Sequence, residues 1–169
     1  MNRFVSNLIL GLFVVALVIV YGVSKQPAVF SLGHLLTNQI VQPPVDQQMA
    51  IRLPGGQVIQ ARVVDTPEAR AQGLSGVESV PADTGMLFVF QDDGTQGIWM
   101  KGMKIPLDIL WLDGQGQVVH IVQNAPIPDD EQTVLPIYES NQPARYVLEL
   151  AAGTVEATGL EAGQVVGLS

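Results

Sequence analysis

Apolar residues fall along this chain in two textures. Near the start lies one uninterrupted block, Leu8 to Val23. Beyond residue 48 the apolar positions come in short runs cut by Gly, Pro and Asp. Short runs with turn residues between them are the signature of strands. Met49 to Leu53 and Gln57 to Val64 flank Pro54-Gly55-Gly56, which predicts a β-hairpin. In the second run Ile59, Ala61 and Val63 share one face and are predicted to point at a core, because side chains alternate along a strand. Asp65-Thr66-Pro67-Glu68 reads as a helix start: a capping oxygen, a proline in the first turn and an acid at the positive end of the dipole. The helix is short, about Pro67 to Gln72, and Gly73 ends it. Leu74 to Thr84, with Gly76 and Pro81, reads as a surface loop.

The densest stretch is Gly85 to Asp113. Met86 to Phe90 is apolar throughout, so both faces of that strand need cover. Asp92-Asp93-Gly94 reads as a turn, Gln96 to Met100 as the next strand, and Leu107 to Leu112 as a third. Asp113-Gly114-Gln115-Gly116 predicts a hairpin turn into Gln117 to Gln123. Asn124 to Pro143 reads as irregular, and its Asp129-Asp130-Glu131 run as a solvated loop. Tyr146 to Leu150 is a strand, Gly153 to Thr158 a last short helix ended by Gly159, and Val165 to Leu168 a returning edge strand. The fold class that follows is mostly β (α+β): a compact β-sandwich or partly closed barrel with one or two short helices.

The N-terminal block changes where such a domain is expected to sit. Its 16 residues carry no charge, Arg3 precedes it and Lys25 follows. Residues 1–25 therefore read as a membrane anchor, with a cleaved signal peptide as the alternative. Residues 26–48, rich in Pro and Gln, read as a linker, and residues 49–169 as one β-rich domain outside the cytoplasm. All 16 acids lie at Asp46 or beyond, where only 6 bases accompany them, a net −10. So acidic a body repels phosphate backbones, which argues against a nucleic-acid partner. The absence of cysteine removes disulfides, thiolate catalysis and Cys-based zinc sites. His120 is the single histidine of the body and reads as structural or interfacial; no metal or cofactor signature accompanies it.

Candidate chemistry is sparse. Asp108 begins an otherwise apolar strand face with Leu110 and Leu112, and a buried carboxylate needs a partner. Backbone N–H groups or an arginine would make it a structural residue; a pocket would make it a functional one. Glu149 lies between Val147 and Ala151 with the same ambiguity. If the two carboxylates met, one would be held protonated and could act as a general acid. Trp99, Met100 and Lys101, with Gly97 and Gly102 close by, read either as a core tryptophan beside a solvated lysine or as the floor of a ligand site. Arg70 is an available cation on the short helix.

Five segments in order resemble the bacterial and archaeal "domain of unknown function 192" family. They are Asp65 to Leu74, Gly85 to Phe90, Trp99-Met100-Lys101 leading to Ile105-Pro106-Leu107-Asp108, Arg145 to Leu150 with Gly153, and the closing Gly159 and Gly163. The resemblance covers about Ile51 to Leu168. It implies a compact β-rich fold, frequently behind a signal or anchor, with no established activity. The family's Trp-Met-Lys-Asn-Thr is departed from here, where Gly102 and Met103 stand in the last two places.

No G-x-S-x-G, phosphate loop or dinucleotide fingerprint appears. The leading expectation is a non-enzymatic binding or accessory module, anchored through residues 8–23, for a small polar or saccharide ligand at Trp99, Met100, Lys101 and Asp108, with Arg70 and Glu149 in support. The rivals are an envelope-acting hydrolase using Asp108 and Glu149, and a structural partner in a membrane protein complex.

Overall fold

Strands β1 (Gln48–Arg52) and β2 (Val58–Val64) pair antiparallel across the Pro54-Gly55-Gly56 turn, with Ile51 opposite Ile59. The computed structural model describes residues 47–129 and 134–169. The expected anchor, the linker up to Asp46, and Asp130 and Glu131 of the acidic run lie outside these residues. Among the described residues no helix is long and apolar enough to cross a membrane.

Seven strands form one sheet, in the order β6-β5-β8-β3-β2-β1-β9. The remaining members are β3 (Thr84–Gly94), β5 (Leu107–Leu112), β6 (Val118–Ala125), β8 (Ala144–Ala151) and β9 (Gly167–Leu168). All neighbours are antiparallel except β2 and β3. A parallel pair needs a long crossover. Residues 65–83 supply it, and they carry helix α1 (Pro67–Gln72). Its start is as read: Thr66 Oγ1 accepts from the Ala69 N–H, and Pro67 sits in the first turn. Gly73 closes it at φ 48°, ψ −135°, a conformation that only glycine adopts without strain.

The sheet curls until its two outer strands meet at one end. Val118 N–H donates to the Gln164 carbonyl, Val166 N–H to the Gly116 carbonyl, and Gln117 bridges Val165. The result is the mostly β, partly closed half-barrel, with two short helices among the described residues, α1 and α2 (Thr154–Thr158). Its interior holds one apolar cluster drawn from nearly every strand: Ile51, Ile59, Ala61, Leu87, Leu110, Leu112, Leu148 and Leu150, with Val155 of α2. Each fully buried Leu or Ile contributes roughly 1.5–3 kcal/mol.

A second cluster covers the outer face: Met86, Phe88, Leu107, Ile109, Trp111 and Val147 of the sheet, with Ile98, Met100 and Met103 above them. The two sets interleave along β3 and β5, as period-2 alternation demands. Met86, Leu87 and Phe88 are thus covered on both faces, while Val89 and Phe90 are half-buried. A separate two-stranded ribbon, β4 (Gly97–Trp99) with β7 (Ile137–Glu139), lies over this outer cluster. It is fastened from below, because the buried Trp111 donates its indole N–H to the Gln96 carbonyl at 2.7 Å. His120 lies beside Trp111, with ring centroids 5.2 Å apart and the ring planes tilted by 43°.

Three expectations need correction. Asp92-Asp93-Gly94 is not a turn: β3 continues through it to Gly94, which faces Ala144 after a register shift. The stretch 136–143 is not wholly irregular, since it contributes β7. Leu74 to Thr84 is not merely a surface loop, because Leu74 is buried and Val77 and Val80 pack on the outer cluster.

Candidate functional site

The gap between α1, the β4–β7 ribbon and the outer face of the sheet is a cavity of about 380 Å³. Phe88 and Phe90 of β3 and Glu149 of β8 come from the sheet. Arg70, Leu74 and Ser75 come from the crossover, Ile98 and Trp99 from β4, and Ile137 and Glu139 from β7. Lys101 and Met103 complete the wall. Most of these surfaces are apolar, and a few polar groups converge on them, which is the usual composition of a small-molecule site.

Backbone constraints shape the cavity as much as side chains do. A Cβ at Gly85 would come within 2.7 Å of the Glu149 carbonyl and 2.8 Å of Leu150 Cδ2, so only glycine lets β3 lie this close to β8 on the interior face of the sheet. Gly102 has φ 68°, and a Cβ there would lie 2.4 Å from Ser75 Oγ. Its carbonyl accepts from the Gly76 N–H at 2.9 Å, tying the 101–103 turn to the crossover. Met103 is buried and presents an apolar surface to the cavity.

Glu149 is the unusual group. It is 4% exposed, and its Oε2 has no hydrogen-bond partner. Burial pushes its carboxyl from 4.5 up to about 8, because the charged form cannot be solvated there. At neutral pH it is therefore mainly a carboxylic acid, which can donate a hydrogen bond.

Arg70 is held in place by the main chain. Its Nη1 donates to the Asp65 and Val89 carbonyls, and its guanidinium lies 4.9 Å from the centroid of the Phe90 ring. Lys101 Nζ lies 5.4 Å from the centroid of the Trp99 ring. Trp99 is 49% exposed, so it stands at the mouth of the cavity and is not the core tryptophan of the alternative reading. Among the described residues no carboxylate lies within ion-pair distance of Arg70 or Lys101.

The structure brings Arg70, Trp99, Lys101 and Glu149 to one cavity and leaves Met100 and Asp108 out of it. Met100, 1% exposed, is a core residue beneath the ribbon. Asp108 faces the other side of the sheet. It is fully buried, with Oδ1 accepting from the Asn124 N–H at 2.9 Å and Oδ2 from the Val155 N–H at 2.8 Å. Asn124 sits where β6 bulges against β5, with φ 49°, so Asp108 satisfies a donor that the bulge frees. Val155 is in the first turn of α2, which has no side-chain cap of its own, so Asp108 also supplies that helix's missing acceptor. The pairing of Asp108 with Glu149 in one cleft is thereby corrected. Ile109 stands opposite Glu149 and Asp108 opposite Leu150, so the two carboxylates emerge on opposite faces.

Sequence reasoning missed Phe88, Phe90, Met103, Ile137 and Glu139. The aromatic spacing of Phe88 and Phe90 was a visible signal that they share a face. Nothing in the sequence marked which face would be left partly open. Among the described residues no group of three or more His, Cys, Asp or Glu side chains is placed to hold a metal ion.

Fold and site together define a curled β half-barrel with a pocketed outer face. The chain belongs to the DUF192 family, described as Uncharacterized ACR, whose model matches residues 50–168. Among solved structures it is similar to a protein from Sinorhizobium meliloti 1021 provisionally described as a transcription regulator. That similarity has 31% identity, a TM-score of 0.66, and covers 73% of this chain and 95% of that one. It is also similar in fold to a protein of unknown function from Novosphingobium aromaticivorans DSM 12444, at 24% identity and a TM-score of 0.64, over 72% of this chain and 84% of that one. No curated protein matches the chain.

Proposed function

We propose that this protein is a binding or accessory module, held outside the cytoplasm by an anchor at residues 8–23, whose outer-face cavity takes a small ligand with polar groups, such as a saccharide fragment or a charged metabolite. The observation that carries the reading is Glu149, whose Oε2 is buried without a partner at a cavity whose wall is mostly apolar. An unsatisfied buried polar group costs about 1–3 kcal/mol, and a ligand that satisfies it recovers that cost. A carboxylate kept only for architecture has its partners within the protein, as Asp108 does. Trp99 and Lys101 at the mouth offer an aromatic face and a charge to the same ligand.

The anchor is supported by the uncharged Leu8 to Val23 run and the Pro- and Gln-rich tether after it. The regulator description of the S. meliloti relative brings no nucleic-acid partner with it, since the body here is strongly acidic.

The test is a thermal-melt screen of the detergent-solubilised full chain against saccharide fragments, small charged metabolites and divalent metals. A ligand at about 100 times its dissociation constant adds roughly 2.7 kcal/mol, a rise of several degrees for a domain of this size. Trp99→Ala and Lys101→Met should each remove the rise while leaving the unliganded midpoint within about 2 °C of the parent. A ligand whose rise survives both substitutions places the binding elsewhere and sinks the reading of this cavity. For the anchor, carbonate-washed membranes should retain the full chain and release a variant lacking residues 1–25.

A further inference from the structure

The polar groups of this cavity lean towards donors: Arg70 and Lys101 only donate, Gln72, Ser75 and a protonated Glu149 both donate and accept, and Glu139 alone only accepts. The neutral Glu149 carboxyl offers an O–H. Arg70 uses Nη1 on two carbonyls, and its other nitrogens make no hydrogen bond among the described residues. Lys101 offers an ammonium group. The local charge is also opposite to that of the body. Arg70 and Lys101 face only one charged carboxylate in the wall, the exposed Glu139, whereas the chain from Asp46 onward is net −10. Donors and a local positive field select an acceptor-rich anion. The walls decide what accompanies it. Phe88, Phe90, Leu74, Ile98 and Ile137 cannot solvate a second charge, and a phosphate monoester carries about 1.5 to 2 charges at neutral pH. A carboxylate brings one charge and two acceptor oxygens.

We infer that the ligand is a small monocarboxylate with an apolar body, its carboxylate accepting from the Glu149 carboxyl and its body lying against Phe88, Phe90 and Trp99. This rests on the cavity being a binding site, as proposed above, and adds which chemistry it reads. Binding is then tied to a proton, because only the protonated Glu149 donates. The charged groups that share the cavity wall with Glu149 are Arg70 from α1, Lys101 after β4 and Glu139 from β7, while burial alone raises its carboxyl; the uncharged Met86 and Ile109 stand opposite it on the neighbouring strands.

The test uses 3-phenylpropanoate, its amide and the corresponding amine, which differ only in the head group, titrated into the full chain by calorimetry between pH 6 and 9.5, beside the saccharide panel. The acid should bind at least tenfold more tightly than either analogue at pH 6. Its affinity should hold to about pH 7.5 and then fall by up to tenfold per pH unit as Glu149 ionises, since carboxylate would meet carboxylate. Glu149→Gln keeps a donor and does not titrate, so that fall should vanish while some affinity remains. Equal affinity for acid and amide would overturn the inference, because charge would not be read. Tightest binding by the amine, strengthening as pH rises, would overturn it too and mark a cation site. If none of the three binds but a saccharide does, the carboxylate inference fails and the binding reading stands. If nothing in either set binds, both fail.

Discussion

Asp108 and Glu149 stand on neighbouring strands of one sheet, one register position out of line, and both are almost wholly shielded from water. Their surroundings are opposite in kind. Asp108 faces the closed interior, where two main-chain N–H groups meet its two oxygens and it ties a strand bulge to a helix start. Glu149 faces the outer layer, where its Oε2 meets no partner and its proton is retained to about pH 8. Burial alone therefore does not decide what a carboxylate does. The number of donors the fold delivers to it decides whether it is a fastening or an unsatisfied group awaiting something else.

The contrast breaks most sharply at Asp108. Asp108→Ala strips the partners from two buried N–H groups and leaves a void, and should destabilise the domain by about 3–5 kcal/mol in urea unfolding. A loss below about 1 kcal/mol would show that water or neighbouring carbonyls already satisfy those donors. At Glu149 the expected sign is reversed. The folded state holds the Glu149 proton more tightly than the unfolded chain, whose carboxyl titrates near 4.5. The stability this adds is complete below pH 4.5, drains away as pH rises, and is gone above about 8. Each pH unit in that window is worth about 1.4 kcal/mol, so the parent should lose up to about 4 kcal/mol between pH 5 and 8. Glu149→Gln should flatten that slope, match the parent near pH 5 and exceed it by a few kcal/mol at pH 8. Parallel slopes for the two proteins would mean that Glu149 is solvated. The smallest effect belongs to a carboxylate that has a partner but no burial. Asp93 pairs with Arg145 at 2.6 Å on the surface, and Asp93→Asn should cost no more than about 1 kcal/mol and less at high salt.

How far the sequence carried depended on whether the deciding interaction was local. The alternation of β5 and β8, the Thr66 cap and the Gly73 stop are consequences of residues within a few positions of one another, and all three were legible. The face that Asp108 shares with Leu110, and that Glu149 shares with Val147, was equally plain. Their relation to each other was not, because it rests on the register between β5 and β8. Had Asp108 paired with Glu149 in place of Leu150, the two would have shared a face. Nothing near either residue encodes that offset. Similarly, Asp92-Asp93-Gly94 has turn-forming residues, yet β3 runs on because Gly94 finds Ala144 across the sheet. β7 is only three residues long, between prolines, and has no periodicity to betray it. Of the site, Arg70, Trp99, Lys101 and Glu149 stood out by residue type. The apolar walls did not, because an open face and a covered face demand the same side chains.

The pairing of β1 with β9 also has a kinetic meaning. Ser169 bonds to Ala50 across 119 positions of sequence, and Leu168 faces Ile51. Contacts that far apart are entropically costly to form until the intervening chain is already ordered, and chains dominated by them fold slowly. The hairpin of β1 and β2 can form early, but the pairing of β9 with β1 must wait until the chain between is ordered. Until then β1 keeps one row of backbone groups unpaired, open to any extended segment that arrives first.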